Sequence, residues 1–82
     1  MTQLLADLPD GAAATVDRVW ANGSVLDAQQ LQRLGALGFL PGEPVQVLRR
    51  GPGGREPLAV RVGTSLFALR LAEARCIAVR PG

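Results

Sequence analysis

Two periods run through this chain. Leu31, Leu34 and Leu37 recur at helical spacing, and beyond Pro44 the apolar residues alternate strictly with others. Val45 and Val47 alternate with Gln46 and Leu48, and Leu58, Val60 and Val62 with Ala59 and Arg61. Phe67, Leu69 and Leu71 alternate with Ala68 and Arg70, and Ile77 and Val79 with Ala78 and Arg80. These runs predict four short strands in the second half. A further strand is predicted from Ala13 to Trp20, where alternation is imperfect because Val16 and Arg18 fall on the same parity.

Local signals set the boundaries. Asp27 with Gln30 three residues later forms a capping box for a helix from Ala28 to Leu37, after Asn22-Gly23-Ser24 breaks the first strand. Gly35 weakens this helix by about 1 kcal/mol relative to alanine, so the helix depends on docking through its leucines. Gly38 sits where a chain leaving a helix turns left-handed, Phe39 follows as the apolar contact after the cap, and Pro41-Gly42 marks the turn into the next strand. Pro9-Asp10-Gly11 is a turn after the opening Leu4, Leu5 and Leu8. Gly63-Thr64 supplies a glycine-first two-residue hairpin turn, residues 51–57 a longer, mobile loop, and Ala72-Glu73-Ala74 a single helical turn. Five short strands with one buried face each would expose costly edges in a flat sheet. The expected fold is therefore mainly β: a small five-stranded barrel, closed or partly open, with one short helix inserted after the first strand.

Eighty-two residues make one domain, residues 1–82, with a single modest core. A chain of this size buries only about 60% of its unfolded surface, so stability should be marginal. Aromatics are few, Trp20, Phe39 and Phe67, so the core must be aliphatic. One cysteine, Cys76, excludes an internal disulfide and suits a reducing compartment. The N-terminus lacks a basic segment followed by an apolar run, and no window approaches the roughly 18 apolar residues of a membrane span. A soluble, cytoplasmic chain is expected.

Charge is informative by position. All nine basic residues are arginine, and seven lie after Pro44, whereas five of the seven acids lie before it. A basic second half suits an acidic protein, nucleic acid or anionic headgroups, or simply solvates the outer faces of strands. Arg49, Arg50 and Arg55 flank the Pro/Gly loop, where guanidinium groups can meet carboxylates or phosphates, and Arg33 stands on the helix. These four are the candidate partner-binding residues.

Catalysis finds little equipment. The chain has no histidine, lysine or tyrosine, so it lacks an imidazole base, a Schiff-base amine and a phenol. Cys76 lies in an apolar strand with no histidine to activate it and reads as structural. Nothing brings Glu43 and Glu56 together as an acid-base pair. A selective transition-metal site draws on imidazole or several thiolates, neither of which is on offer, and Asp7 with Asp10 would bind a cation only weakly at the surface. No resident metal or cofactor is expected. The Gly51-Pro52-Gly53-Gly54 run lacks the following helix that a phosphate-binding loop requires.

The order Gly11, Val16, Leu31, Arg33-Leu34, Leu37-Gly38, Pro41-Gly42, Val45, Val47, the Pro/Gly loop, Pro57-Leu58, Val60 and Val62, then Leu69-Arg70, Glu73-Ala74, Ile77 and Val79, resembles the FeoA family of ferrous iron transport accessory proteins. The Leu-Gly-x-x-Pro-Gly joint and the Leu-Arg-x-x-Glu-Ala segment about thirty residues downstream are its most specific parts. The loop departs from the family: Gly54-Arg55-Glu56-Pro57 stands where a Gly-Asp-Pro-like ending is usual, which puts loop-specific contacts in question. The resemblance implies a Src-homology-3-like barrel and a partner, FeoB, the membrane iron permease with a cytoplasmic GTPase domain. It implies a non-enzymatic adaptor that reaches the membrane only through that partner, and it leaves weak self-association open. A sharper version has one arginine entering the partner's nucleotide site as an arginine finger. The alternative is a small basic barrel serving as a regulatory or nucleic-acid-binding module. Few rings are present to stack on bases, so nucleic acid is not the expected partner.

Overall fold

The computed structural model describes residues 3–82 and consists of six antiparallel strands, two helices and two short 3₁₀ turns. The strands are β1 (Gln3–Leu4), β2 (Ala13–Val19), β3 (Pro44–Arg50), β4 (Leu58–Val62), β5 (Ser65–Leu69) and β6 (Ile77–Pro81). Helix α1 spans Ala28–Leu37, and α2, a single turn, spans Leu71–Ala74. The sheet order is β1-β6-β2-β3-β4-β5, and side chains from every strand but the two-residue β1 meet in one apolar core, so the sheet curls around it as a partly open barrel. No helix among the described residues is long and apolar enough to cross a membrane.

One strand was not expected. Gln3 and Leu4 pair with Val79 and Ala78, which makes six strands and places α1 after the second. Two residues are too short to show a period, so this pairing leaves no trace in the pattern. The chain continues from β1 into a 3₁₀ turn, Leu5–Asp7, where Leu5 and Ala6 are buried together with Leu8. Leu5 and Leu8 of the opening leucines thus belong to the core, while Leu4 pairs through its backbone in β1.

The helix keeps the predicted span. Asp27 Oδ1 accepts from Gln30 N–H and Gln30 Oε1 accepts from Asp27 N–H, both at 2.8 Å, which satisfies two amides of the first turn reciprocally. At the other end Gly38 has φ +119°, its N–H donates to Gly35 O at 3.0 Å, and Phe39 N–H donates to Leu34 O at 3.1 Å. This is the Schellman arrangement, and a side chain at Gly38 would be strained. Leu34 is buried, Leu31 and Leu37 pack at the rim of the core, and Phe39 is driven into its centre. Gly35 has an ordinary helical φ, and a methyl group there would meet only Leu40 Cδ2 at 3.8 Å. Gly35→Ala should therefore stabilise the domain by about 0.5–1 kcal/mol, read as a higher urea midpoint.

Two irregularities reset which residues face inward. Between β2 and β6 the register shifts between Val16 and Arg18, so Val16 opposes Val79 and Val19 opposes Ile77. That shift resolves the imperfect alternation: Arg18 lies outside, its guanidinium carbon 4.8 Å from the centroid of the Trp20 ring. Between β3 and β4 the register shifts between Val47 and Arg49. Val45 and Val47 oppose Val62 and Val60, and Arg50, not Arg49, opposes the buried Leu58. An extra residue in a strand flips the parity of everything after it.

Candidate functional site

The four arginines singled out from the sequence do not form one cluster. Arg50 follows the bulge onto the inward face, where its side chain is 14% exposed. Its Nη2 donates to the carbonyl oxygens of Ala6 at 2.8 Å and Leu8 at 2.5 Å, and its Nε stands 3.7 Å from Asp10 Oδ1. This guanidinium is engaged inside the chain, fastening the N-terminal turn across the barrel end. The guanidinium of Arg50 is thus committed within the chain, although the residue still lines the same hollow as Arg49.

Arg49 keeps the outward position. It borders a shallow hollow of about 540 Å³ whose other walls include Pro52, Pro57, Ala59 and Ala68. Arg55 is exposed just beyond the 3₁₀ turn Pro52–Gly54. The loop between them is closed by its own backbone: Gly51 N–H donates to Pro57 O at 2.9 Å and Gly54 N–H to Gly51 O at 3.0 Å. Gly51 is required by close approach: a Cβ there would stand 2.5 Å from the Glu56 carbonyl oxygen and 2.9 Å from Pro57 Cδ. Gly51→Ala should cost about 1–3 kcal/mol, since backbone must shift to admit the methyl group, and thermal unfolding would show it.

Arg33 stands on the far side. With Arg70, Leu37, Phe67 and Ala68 it lines a second groove, of about 510 Å³, between α1 and β5. Val25, 93% exposed, borders the same groove. Ala68 of β5 lines both hollows, so Arg49 lies to one side of this strand and Arg33 with Arg70 to the other. Arg70 and Arg61, which sequence alternation read as outward strand positions, complete this basic surface. Among the described residues the ion pairs within 4.0 Å are Arg50–Asp10 and Arg80–Asp17, so Arg33, Arg49, Arg55, Arg61 and Arg70 face no carboxylate at that distance. The nearby acids are turned to the chain's own backbone: Glu73 Oε1 accepts from Arg70 N–H at 2.8 Å, and Glu56 Oε1 from Leu71 N–H at 2.9 Å.

Elsewhere the chemistry is structural. Cys76 is fully buried, with Sγ 3.2 Å from Ser24 Oγ and 3.4 Å from the carbonyl oxygens of Ala21 and Ala72, so it helps hold the 21–26 segment to the start of β6. Among the described residues no three histidine, cysteine, aspartate or glutamate side chains converge as metal ligands. Arg18 stacks on the Trp20 ring, and Phe67 tilts against Phe39 with ring centroids 6.2 Å apart, so each ring already packs against a neighbour within the chain.

A model of the FeoA domain matches residues 3–81. Among solved structures, the FeoA of Stenotrophomonas maltophilia complexed with zinc is 42% identical, over 96% of this chain and 88% of that one, with a TM-score of 0.76. It is described as a procaryotic SH3 domain protein and a candidate ferrous iron transport activating factor. The FeoA protein of Chlorobium tepidum is 30% identical over 96% of this chain and 70% of that one, with a TM-score of 0.80. A manganese-dependent transcriptional repressor superposes at a TM-score of 0.79, but at 23% identity over 42% of its length this likeness shows the fold alone. No match is found among curated protein sequences. A Src-homology-3-like barrel, the helix joint closed at Gly38 and a family match over all but the outermost residues lead to one assignment: this chain belongs to the FeoA family.

Proposed function

We propose that this chain is a cytoplasmic accessory protein of ferrous iron uptake that docks on the cytoplasmic region of the FeoB permease and modulates its assembly or GTPase cycle, catalysing no reaction of its own. The observation that carries the reading is the basic surface on both sides of β5, where Arg33, Arg49, Arg61 and Arg70, with Arg55 in the loop beyond β3, face no carboxylate within 4.0 Å among the described residues. Such a surface attracts an acidic protein, and its charges steer encounter and fix orientation more than they add raw affinity. The description of the Stenotrophomonas maltophilia relative as a transport activating factor is consistent with this role.

Immobilised chain should retain FeoB, tested as the isolated cytoplasmic domain and as the full membrane form. The double variant Arg49→Glu/Arg55→Glu should bind about tenfold more weakly, mainly through slower association, and the deficit should shrink as salt is added. Failure of the unaltered chain to bind either form would overturn the proposal. The arginine-finger version makes a separate demand. At saturating adaptor, Arg33→Ala, Arg49→Ala or Arg55→Ala would have to lower GTP hydrolysis by the partner, and loss of affinity without loss of turnover eliminates it.

A further inference from the structure

The two ends of the curled sheet are treated differently. Among the described residues edge strand β1 is two residues long, and a short edge strand is a common way of blunting a sheet edge. Edge strand β5 is five residues long, Ser-Leu-Phe-Ala-Leu, without charge, proline or bulge, and Leu66 on it is 62% exposed. A strand of that composition at an open edge is a template for another strand.

The register identifies which backbone groups are open. The two-residue Gly63-Thr64 turn makes Val62 and Ser65 the closing pair of the hairpin, and the ladder then runs Arg61–Leu66, Val60–Phe67, Ala59–Ala68 and Leu58–Leu69. In antiparallel pairing, pairs that exchange both hydrogen bonds alternate with pairs that exchange none. Val62–Ser65, Val60–Phe67 and Leu58–Leu69 are the bonded pairs, so the N–H and C=O groups of Leu66 and Ala68 point away from β4. No other strand pairs with β5, and neither residue's backbone enters any other hydrogen bond among the described residues.

We propose that β5 is a strand-addition site for an extended acidic segment of a partner protein, which pairs with Leu66 and Ala68 and lies in the groove between β5 and α1. Backbone pairing would supply affinity, and Leu37, Phe67 and Leu69, which line the groove, would receive alternate apolar side chains. Charge selects the occupant. Arg33 and Arg70 line the groove together with Glu73, and Arg61 lies beside Leu66 in the ladder; Glu56 and Glu73 keep their charge while each accepts one backbone amide through Oε1, so positive charge exceeds negative charge along this edge. A second copy would instead bring like basic edges together. The inference rests on the docking reading for the partner's identity, and its test separates the two.

Amide exchange at Leu66 and Ala68 should be fast in the free chain and slow at least tenfold when the FeoB cytoplasmic region, or an acetylated peptide of alternating glutamate and valine, is added in excess. Leu66→Pro removes an outward donor without touching the β4 ladder and should weaken binding at least tenfold. Leu66→Ala keeps the amide and should bind within threefold of the unaltered chain. Ala68→Pro is the equivalent variant should Leu66→Pro fail to fold. FeoB binding without protection of the two amides leaves docking standing and overturns strand addition. If FeoB does not bind, the docking reading falls and the peptide decides: protection supports the edge site, and none overturns it. An equal response to the lysine counterpart of the peptide, an equal loss in Leu66→Ala and Leu66→Pro, or protection that rises with the concentration of the chain alone would each overturn the proposal.

Discussion

Arg50→Met should lower the stability of the domain by about 2–3 kcal/mol, a fall of roughly 10–20 °C in Tm for a chain of this size. The guanidinium donates to the carbonyls of Ala6 and Leu8, both in buried residues, and a thioether of similar length fills the space but donates nothing. Charged donors to such acceptors are worth more than neutral ones, and removing the donor leaves two acceptors short of partners. The contact with Asp10 is a different matter: it is 3.7 Å long and the Asp10 side chain is 57% exposed. Exposed ion pairs contribute little, so Asp10→Asn should change stability by less than about 0.5 kcal/mol. Thermal and urea unfolding of both variants checks the assignment. Equal losses would mean that the ion pair, not the clamp on the two carbonyls, fastens the N-terminal turn.

Phe39→Ala should be more damaging still, at about 3–5 kcal/mol. Phe39 is the largest fully buried side chain, at 1% exposure, and its ring leans on Phe67. Domains carry roughly 0.05–0.15 kcal/mol of stability per residue, so 82 residues hold only about 4–12 kcal/mol. Loss of one ring from so small a core should remove a large share of that stability, read as a much lower urea midpoint and Tm. Phe39→Leu retains most of the volume and should fold, with a loss nearer 1 kcal/mol. A loss below about 1 kcal/mol in Phe39→Ala would show that the helix joint is held by its caps and not by the residue it inserts.

The parts of the fold governed by near neighbours were legible. Asp27 and Gln30 declare the helix start because the capping box is a three-residue device, and Gly38 declares its end because the chain must turn left-handed there. The core residues of β3, β4 and β5 followed from a period of two. Of the candidate partner-binding residues, Arg33, Arg49 and Arg55 stand exposed, and Arg50 does not. Its inward turn depends on one extra residue in β3, and nothing within Val47-Leu48-Arg49-Arg50 itself shows that β4 will skip it. The shift beside Asp17 escaped for the same reason.

The sequence by itself determined the span of α1, the faces of most strands, the lack of histidine, lysine and tyrosine and, through the order of its motifs, the family. All of these depend on residue identity at short range, or on order along the chain. Only the tertiary structure decided that Arg50 braces the barrel, that Ala68 lies between two arginine-lined hollows, and that β5 rather than another strand ends the sheet with its backbone open. An edge is defined by what does not pair with it. That is a property of the whole topology, and five residues of local pattern cannot encode it.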